Sequence, residues 1–169
     1  NFLQRSLLLG FLALVLSTPS AAEIVSVTDG KVTLLQSILI NTTWPNEDEV
    51  DHFILGLYGK DRQLSRSLEA GLKNFKVRGK SVSVVIYSSL RAARAAHVLV
   101  IATAGNSRLA EIHKTLDQSA TLIVTDDADE DQFLMINFTH PSKSRLSFEL
   151  NRNNIVNAGI TLSKDMLLF

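Results

Sequence analysis

His97-Val98-Leu99-Val100-Ile101-Ala102 and Thr121-Leu122-Ile123-Val124-Thr125 are two short runs that are apolar at nearly every interior position. A strand with one wet face alternates apolar and polar side chains, whereas a strand buried on both faces does not. Both runs are too short for a buried helix, so they read as strands covered above and below. Phe53-Ile54-Leu55-Gly56-Leu57-Tyr58, ending at Gly59, reads the same way. Strands dry on both faces belong to sheets whose crossover connections lay helices over each side. The runs therefore predict an α/β layered domain with a largely parallel central sheet and flanking helices.

The segments between them supply those helices. Val32, Leu34, Leu35, Ile38 and Leu39 recur at helical spacing after Asp29, which is the expected N-cap. That helix should stop before Trp44-Pro45, because the residue preceding a proline is pushed out of the helical region. Asp61 opens a second helix with Leu64, Leu68 and Leu72 on one stripe. Gly79-Lys80 is read as a turn, followed by a strand in which Val82, Val84 and Ile86 alternate with Ser81, Ser83 and Val85. Leu90 to Ala96 suits a short helix, and Asn106 or Ser107 is expected to cap another carrying Leu109, Ile112 and Leu116. Phe133 to Phe138 and Arg145 to Leu150 read as strands joined by the short link His140 to Ser144, which makes a carboxy-terminal antiparallel hairpin. Asn151 is read as the N-cap of a last short helix and Gly159 as the residue that ends it.

The amino terminus reads as an address. Arg5 precedes the apolar run Leu7 to Leu16, Ser17-Thr18-Pro19 breaks it, and Ser20-Ala21-Ala22 supplies small residues before Glu23. This is the pattern of a secretory signal peptide cleaved after Ala22. The run is too short to cross a bilayer core of about 30 Å, which takes about 20 residues. Residues 1–22 are thus expected to be removed, leaving 23–169 as a single exported domain. A chain that opens on Asn1 and closes on Leu167-Leu168-Phe169 is expected to extend further at both ends.

Composition excludes several classes. The 169 residues carry 17 basic and 17 acidic side chains, so the net charge is zero. Nucleic-acid binding needs a clustered basic excess, and none is present. There is no cysteine, which rules out disulfides, thiolate nucleophiles and cysteine-based metal sites in this chain. Apolar residues make up 46 %, enough for a sizeable core.

Candidate catalytic and metal patterns fail one by one. Asp127, Asp129 and Asp131 match the first ligand positions of a calcium loop, but Gln132 stands where the sharp turn needs Gly and Phe138 where a bidentate Glu belongs. That loop is better read as solvated. His52, His97, His113 and His140 lack the i, i+4 partner of a zinc helix; His97 reads as a packing residue and His140, before Pro141, as turn chemistry. No G-x-S-x-G elbow and no phosphate-cradling glycine loop occurs. Trp44, the single tryptophan, reads as a plug at the helix-to-loop corner rather than an exposed anchor. The sequon at Asn137 falls inside an expected strand, where a glycan fits poorly. No catalytic residue, cofactor or metal is therefore assigned.

The order of these pieces resembles the YfiR-like family of bacterial periplasmic proteins. The resemblance rests on Trp44-Pro45 after an apolar helix, the run Phe53 to Gly59, His97 to Ile101 before a helix, and Thr121 to Asp126. It continues through Met135 to Phe138, Leu146-Ser147-Phe148-Glu149-Leu150-Asn151-Arg152 and Ala158-Gly159-Ile160-Thr161-Leu162-Ser163. It implies an exported regulator and not an enzyme. Its implied partner is the periplasmic part of an inner-membrane GGDEF-type diguanylate cyclase, held inactive so that cyclic di-GMP and biofilm growth stay low. An outer-membrane lipoprotein that sequesters the repressor, and a homodimer, are further implications. Two departures stand out. Family members often carry paired cysteines, absent here, and often a Gly-Gly pair where Asp131-Gln132 stands.

Regulation of this kind needs a surface, not a proton-transfer site. The carboxy-terminal segment holds more apolar residues than one short element can bury, which points to Arg152, Ile160, Leu162, Met166 and Leu167 as the partner-facing set, or else as core or dimer contacts. The rival reading is a small-molecule sensor with a cleft at the strand ends lined by Thr103, Thr125 and Asp126, where ligands of open α/β sheets dock.

Overall fold

The structure, a computed structural model, describes residues 26–129, 131–142 and 145–167. The expected leader, 1–22, lies outside the described residues.

Helix α1 spans Val27–Asn41 and buries Val32, Leu35, Ile38 and Leu39. Its N-cap is Ser26, not Asp29: the Ser26 hydroxyl oxygen accepts the Asp29 N–H at 3.1 Å while the hydroxyl donates to the Asp29 carboxylate at 2.6 Å. The reciprocal pair satisfies an orphan donor of the first turn and puts the acid where the helix dipole favours it. A short strand β1 (Thr42–Thr43) follows, then Trp44-Pro45 and a 3-10 turn at Glu47–Glu49.

Strand β2 (Phe53–Tyr58) leads to α2 (Arg62–Leu72), capped by the Asp61 carboxylate accepting the Leu64 N–H at 2.9 Å. The stripe Leu64, Leu68 and Leu72 is buried as its spacing requires, each side chain contributing about 2 kcal/mol by leaving water. Strand β3 (Lys76–Val77) and β4 (Lys80–Tyr87) form a hairpin across Arg78-Gly79, both in the left-handed region at φ 48° and 82°. The turn thus sits one residue earlier than Gly79-Lys80, and β3 is too short to leave a periodic signal. Helix α3 (Leu90–Ala93) is shorter than the expected Leu90 to Ala96. After β5 (Val98–Ile101) the chain takes a 3-10 path over Thr103–Arg108 into α4 (Leu109–Leu116). Neither Asn106 nor Ser107 caps α4; Arg108 holds that position without a side-chain cap, because the Asn106 amide is spent on the Asp126 carbonyl at 2.9 Å.

Strand β6 (Leu122–Asp126) precedes a 3-10 turn at Asp131–Phe133, and β7 spans Ile136–Ser142. The expected strand Phe133 to Phe138 is therefore shifted, and His140 and Pro141 lie in the strand rather than in a turn. A register shift between Thr139 and Ser142 absorbs the proline, which cannot donate to a ladder. Strand β8 (Arg145–Leu150), α5 (Arg152–Asn157) and β9 (Thr161–Leu162) complete the described elements, with a 3-10 turn at Asp165–Leu167.

The main sheet has the order β3-β4-β2-β5-β6-β7-β8. Strands β4, β2, β5, β6 and β7 run parallel; β3 and β8 are antiparallel edges. Helices α1 and α2 pack together on one face and α3 and α4 on the other, as a doubly wound sheet requires. The expected layered α/β architecture and carboxy-terminal hairpin are present. Separately, β1 pairs antiparallel with β9, matching Thr42 to Leu162 and Thr43 to Thr161. No helix among the described residues is long and apolar enough to cross a membrane.

Candidate functional site

The carboxy-terminal segment owes its path to two caps. The Asn151 carboxamide oxygen accepts the Asn154 N–H at 3.2 Å, starting α5. The Asn154 amide then donates to the carbonyls of Gln132 at 3.0 Å and Leu134 at 2.7 Å, tying the helix to the entry of β7. Gly159, at φ 75°, ends it, and the Ile160 N–H reaches back to the Ile155 carbonyl at 3.2 Å. That reversal turns Ile160 into the core, where it is 1 % exposed. Ser163 fixes the next step, its N–H to the Asn41 carbonyl at 2.8 Å and its hydroxyl to the Asn41 side-chain oxygen at 2.7 Å. Met166 then lies 2 % exposed, lining a small pocket with Leu34, Ile38 and Phe148.

The five expected residues are thus separated by depth. Ile160 and Met166 pack into the core and are almost wholly buried. Arg152 is exposed and Leu162 half-buried. Leu167 ends the last 3-10 turn, and its side chain lies outside the described residues. Arg152 and Leu162 line one groove of about 190 Å³, floored by Ile155 and Ile160 and flanked by Val156 and Thr161. Val156, missed by the sequence reading, is 58 % exposed and one of only three large apolar side chains so exposed among the described residues. Its signal is an apolar residue next to Ile155 in an otherwise polar helix, where only one of the two can face inward.

The other candidate cleft is closed by its own side chains. At the carboxyl ends of the strands, Asp126 accepts from Lys31 Nζ at 2.6 Å and Thr103 Oγ1 at 3.4 Å, and meets His140 Nε2 at 2.8 Å. Burial pushes the Asp126 carboxyl up, but the hydrogen bonds and charges of Lys31 and His140 outweigh it and hold the group below its ordinary value. Thr125 cannot line a cleft: it is wholly buried and its hydroxyl donates to Asn137 Oδ1 at 2.8 Å. Asn137 is itself 2 % exposed and bonded on both sides to the Ala128 backbone, which leaves no room for a glycan. The switch point of the sheet, between the ends of β2 and β5, is likewise filled. Gly59, at φ 105°, brings the chain so close to Ala102 that an added Cβ would stand 3.0 Å from the alanine methyl. The Arg108 guanidinium bonds the Tyr58 hydroxyl and lies 5.6 Å over its ring.

The histidines have structural partners. His97 accepts the Ile54 N–H on Nδ1 at 3.0 Å within a cluster of Trp44 and Phe53, and His113 stacks on Phe133 at 5.5 Å. Trp44 is 3 % exposed and plugs the corner as expected. No three histidine, aspartate or glutamate side chains among the described residues gather as a metal cage.

The groove presents one exposed cation, Arg152, beside the apolar side chains of Val156 and Leu162. The YfiR/HmsC-like family model matches residues 21–169. The chain belongs to the YfiR/HmsC-like family. No curated protein matches it. Membership in the YfiR/HmsC-like family carries a regulatory role of the YfiR type, and members are generally regulators rather than enzymes. The YfiR/HmsC-like match spans α1 to the carboxy-terminal groove, so the groove is part of the family domain and not an appendage to it.

Proposed function

We propose that this chain is an exported, periplasmic repressor that binds the periplasmic part of an inner-membrane GGDEF-type diguanylate cyclase and keeps cyclic di-GMP low. An outer-membrane lipoprotein that withdraws the repressor would release the cyclase. The observation that carries this reading is the family match over residues 21–169. The leader pattern ending at Ala22 supports export. Repression by binding requires only that the chain hold one state of the cyclase more tightly than the other. A contact surface is sufficient for that, and the groove between α5 and β9 is the surface assigned to it, through Arg152, Leu162 and Val156.

Co-purification with the membrane cyclase tests this, comparing the native chain with Leu162→Asp and Val156→Glu. Val156 is exposed, so its substitution leaves folding intact. Both variants should lose the cyclase and raise cyclic di-GMP in cells. Equal recovery of all three would remove the groove from the contact. No recovery of any cyclase with the native chain would overturn the reading itself.

A further inference from the structure

Register sets Leu57 of β2 opposite Ile86 of β4, so the two side chains share the face of the sheet that α2 covers. Leu57 is buried there, whereas Ile86 is 57 % exposed. Arg62, Ser65, Arg66 and Glu69 recur at spacings of three and four, which puts them on one stripe of α2 beside the buried stripe Leu64, Leu68 and Leu72. The stripe and the two strand residues bound an open cleft of about 350 Å³, rimmed by Gly59, Lys60 and Asp61. The cleft stands at the carboxyl ends of two parallel strands, where ligands of open α/β sheets bind. It shares no residue with the groove between α5 and β9.

Two features of the cleft point to a ligand. The first is Ser65, which is only 8 % exposed. Its N–H is bonded to the Asp61 carbonyl at 3.0 Å, yet its hydroxyl makes no hydrogen bond within the described residues. That hydroxyl is not among the fully enclosed polar atoms, so it opens into the cleft that Ser65 lines. A polar group at this depth is normally satisfied. A helical hydroxyl commonly bonds the carbonyl four residues back, as Thr33 does to Asp29 at 3.1 Å. The second feature is charge. Lys60, Arg62 and Arg66 are exposed and form no ion pair among the described residues. The Asp61 carboxylate is spent on the Leu64 N–H at 2.9 Å, and Glu69 follows Arg66 one turn later. Three cations against two carboxylates leave the cleft with one positive charge in excess.

We propose that this cleft binds a small carboxylate with an apolar body, one per chain. The carboxylate meets the guanidinium groups of Arg62 and Arg66, whose planar forks match its two oxygens, and it accepts a hydrogen bond from the Ser65 hydroxyl. The hydrocarbon body lies along Leu57 and Ile86, covering an isoleucine that otherwise faces water. The single excess charge selects a monoanion, because a phosphate dianion would bring its second charge against Asp61 and Glu69. A cleft of about 350 Å³ is at the small end of ligand sites, which sets the ligand among small metabolites and excludes long-chain lipids. The proposal goes beyond the cyclase reading and needs no partner protein.

Octanoate is the probe. Calorimetric titration of the whole chain should show saturable binding at one site, with a Kd of about 1 mM or tighter. Amide shifts in NMR spectra should gather at Gly59 to Glu69 and at Ile86. Octan-1-ol lacks the charge and inorganic phosphate lacks the body, so each should bind at least about tenfold more weakly. Ser65→Ala, which suits a helix, should weaken octanoate binding about fivefold. The double variant Arg62→Gln/Arg66→Gln should weaken it about tenfold or more. Neither substitution should lower the melting temperature of the free chain. Arg91→Gln, on α3 across the sheet, should bind as the native chain does. No saturable heat below about 10 mM octanoate overturns the proposal. Binding that either cleft variant leaves intact, or equal binding of octan-1-ol or phosphate, overturns it as well. None of these results bears on cyclase recovery, so the two readings fail separately.

Discussion

Trp44 donates its indole N–H to the backbone carbonyl of His97 at 3.0 Å, and the imidazole of the same histidine stands edge-on to the indole with 5.8 Å between ring centroids. The contact joins the loop after α1 to the entry of β5, across 53 residues of sequence. It also fixes the protonation state of the ring, because Nδ1 accepts the Ile54 N–H and must be bare to do so.

A pH dependence follows. Burial lowers the His97 pKa first, the charge of His52 lowers it further, and Glu47 opposes both. A base with a lowered folded-state pKa leaves the unfolded chain holding more protons below its ordinary value near 6.5. Stability should therefore be unaffected by this group above that pH and fall as the pH drops beneath it. The slope cannot exceed about 1.4 kcal/mol per pH unit, the ceiling for one proton, and solvent screening at this partly exposed ring reduces it. His97→Asn, which keeps an acceptor near the Nδ1 position, should flatten the curve in urea titrations from about pH 7 to about pH 5.5. An unchanged slope would separate His97 from the effect.

Asp126 acts in a lower window. Its carboxyl is held down by Lys31 and His140, so its contribution is full above the ordinary value of 3.8 and is lost as the pH falls through the lower folded value. Asp126→Asn leaves Lys31 part-buried without its counter-charge and should cost about 1–3 kcal/mol at neutral pH by chemical denaturation. Lys31→Met, which removes the stranded cation as well, should recover part of that loss in the double variant.

Arg78 should be irreplaceable by lysine. Its guanidinium donates to the carbonyls of Ile40 at 3.0 Å and Thr42 at 2.9 Å, binds the Glu47 carboxylate and lies 5.4 Å over the Phe53 ring. A planar fork serves all four partners; a single ammonium cannot. Arg78→Lys and Arg78→Ala should both lower stability, by about 1–3 kcal/mol, with the lysine variant nearer to alanine than to the native chain.

Gly56 should tolerate no side chain. An added Cβ would stand 2.6 Å from the Tyr87 ring and 2.8 Å from Leu99 Cδ1, in a strand buried on both faces. Gly56→Ala should cost about 1–3 kcal/mol, read as a lower melting temperature.

The parts of the fold legible in the sequence are those set by local pattern. The all-apolar runs at Phe53, Val98 and Leu122 became the centre of the sheet, and Asp61, Asn151 and Gly159 punctuate helices as their chemistry requires. The parts that were not legible depend on distant partners. Ser26 displaced Asp29 as a cap through a choice between neighbouring oxygens that spacing cannot rank. His140 and Pro141 became strand because β8 pairs beside them. The Asp126 cluster draws Lys31 from 95 residues away, a distance no motif spans. Ile160 and Met166 looked like surplus apolar surface until the pairing of β9 with β1 carried them inward.

That pairing has a mechanical corollary. Helix α1 is bolted at its far end, through Asn41, to Ser163 beside the groove, and near its start, through Lys31, to Asp126 at the opposite rim of the sheet. The span between the two anchors is about 15 Å of continuous helix at 1.5 Å per residue. Load applied where Leu162 is gripped thus has a stiff rod along which to travel, and amide exchange at Ser163 and around Lys31 should slow together when the groove is occupied.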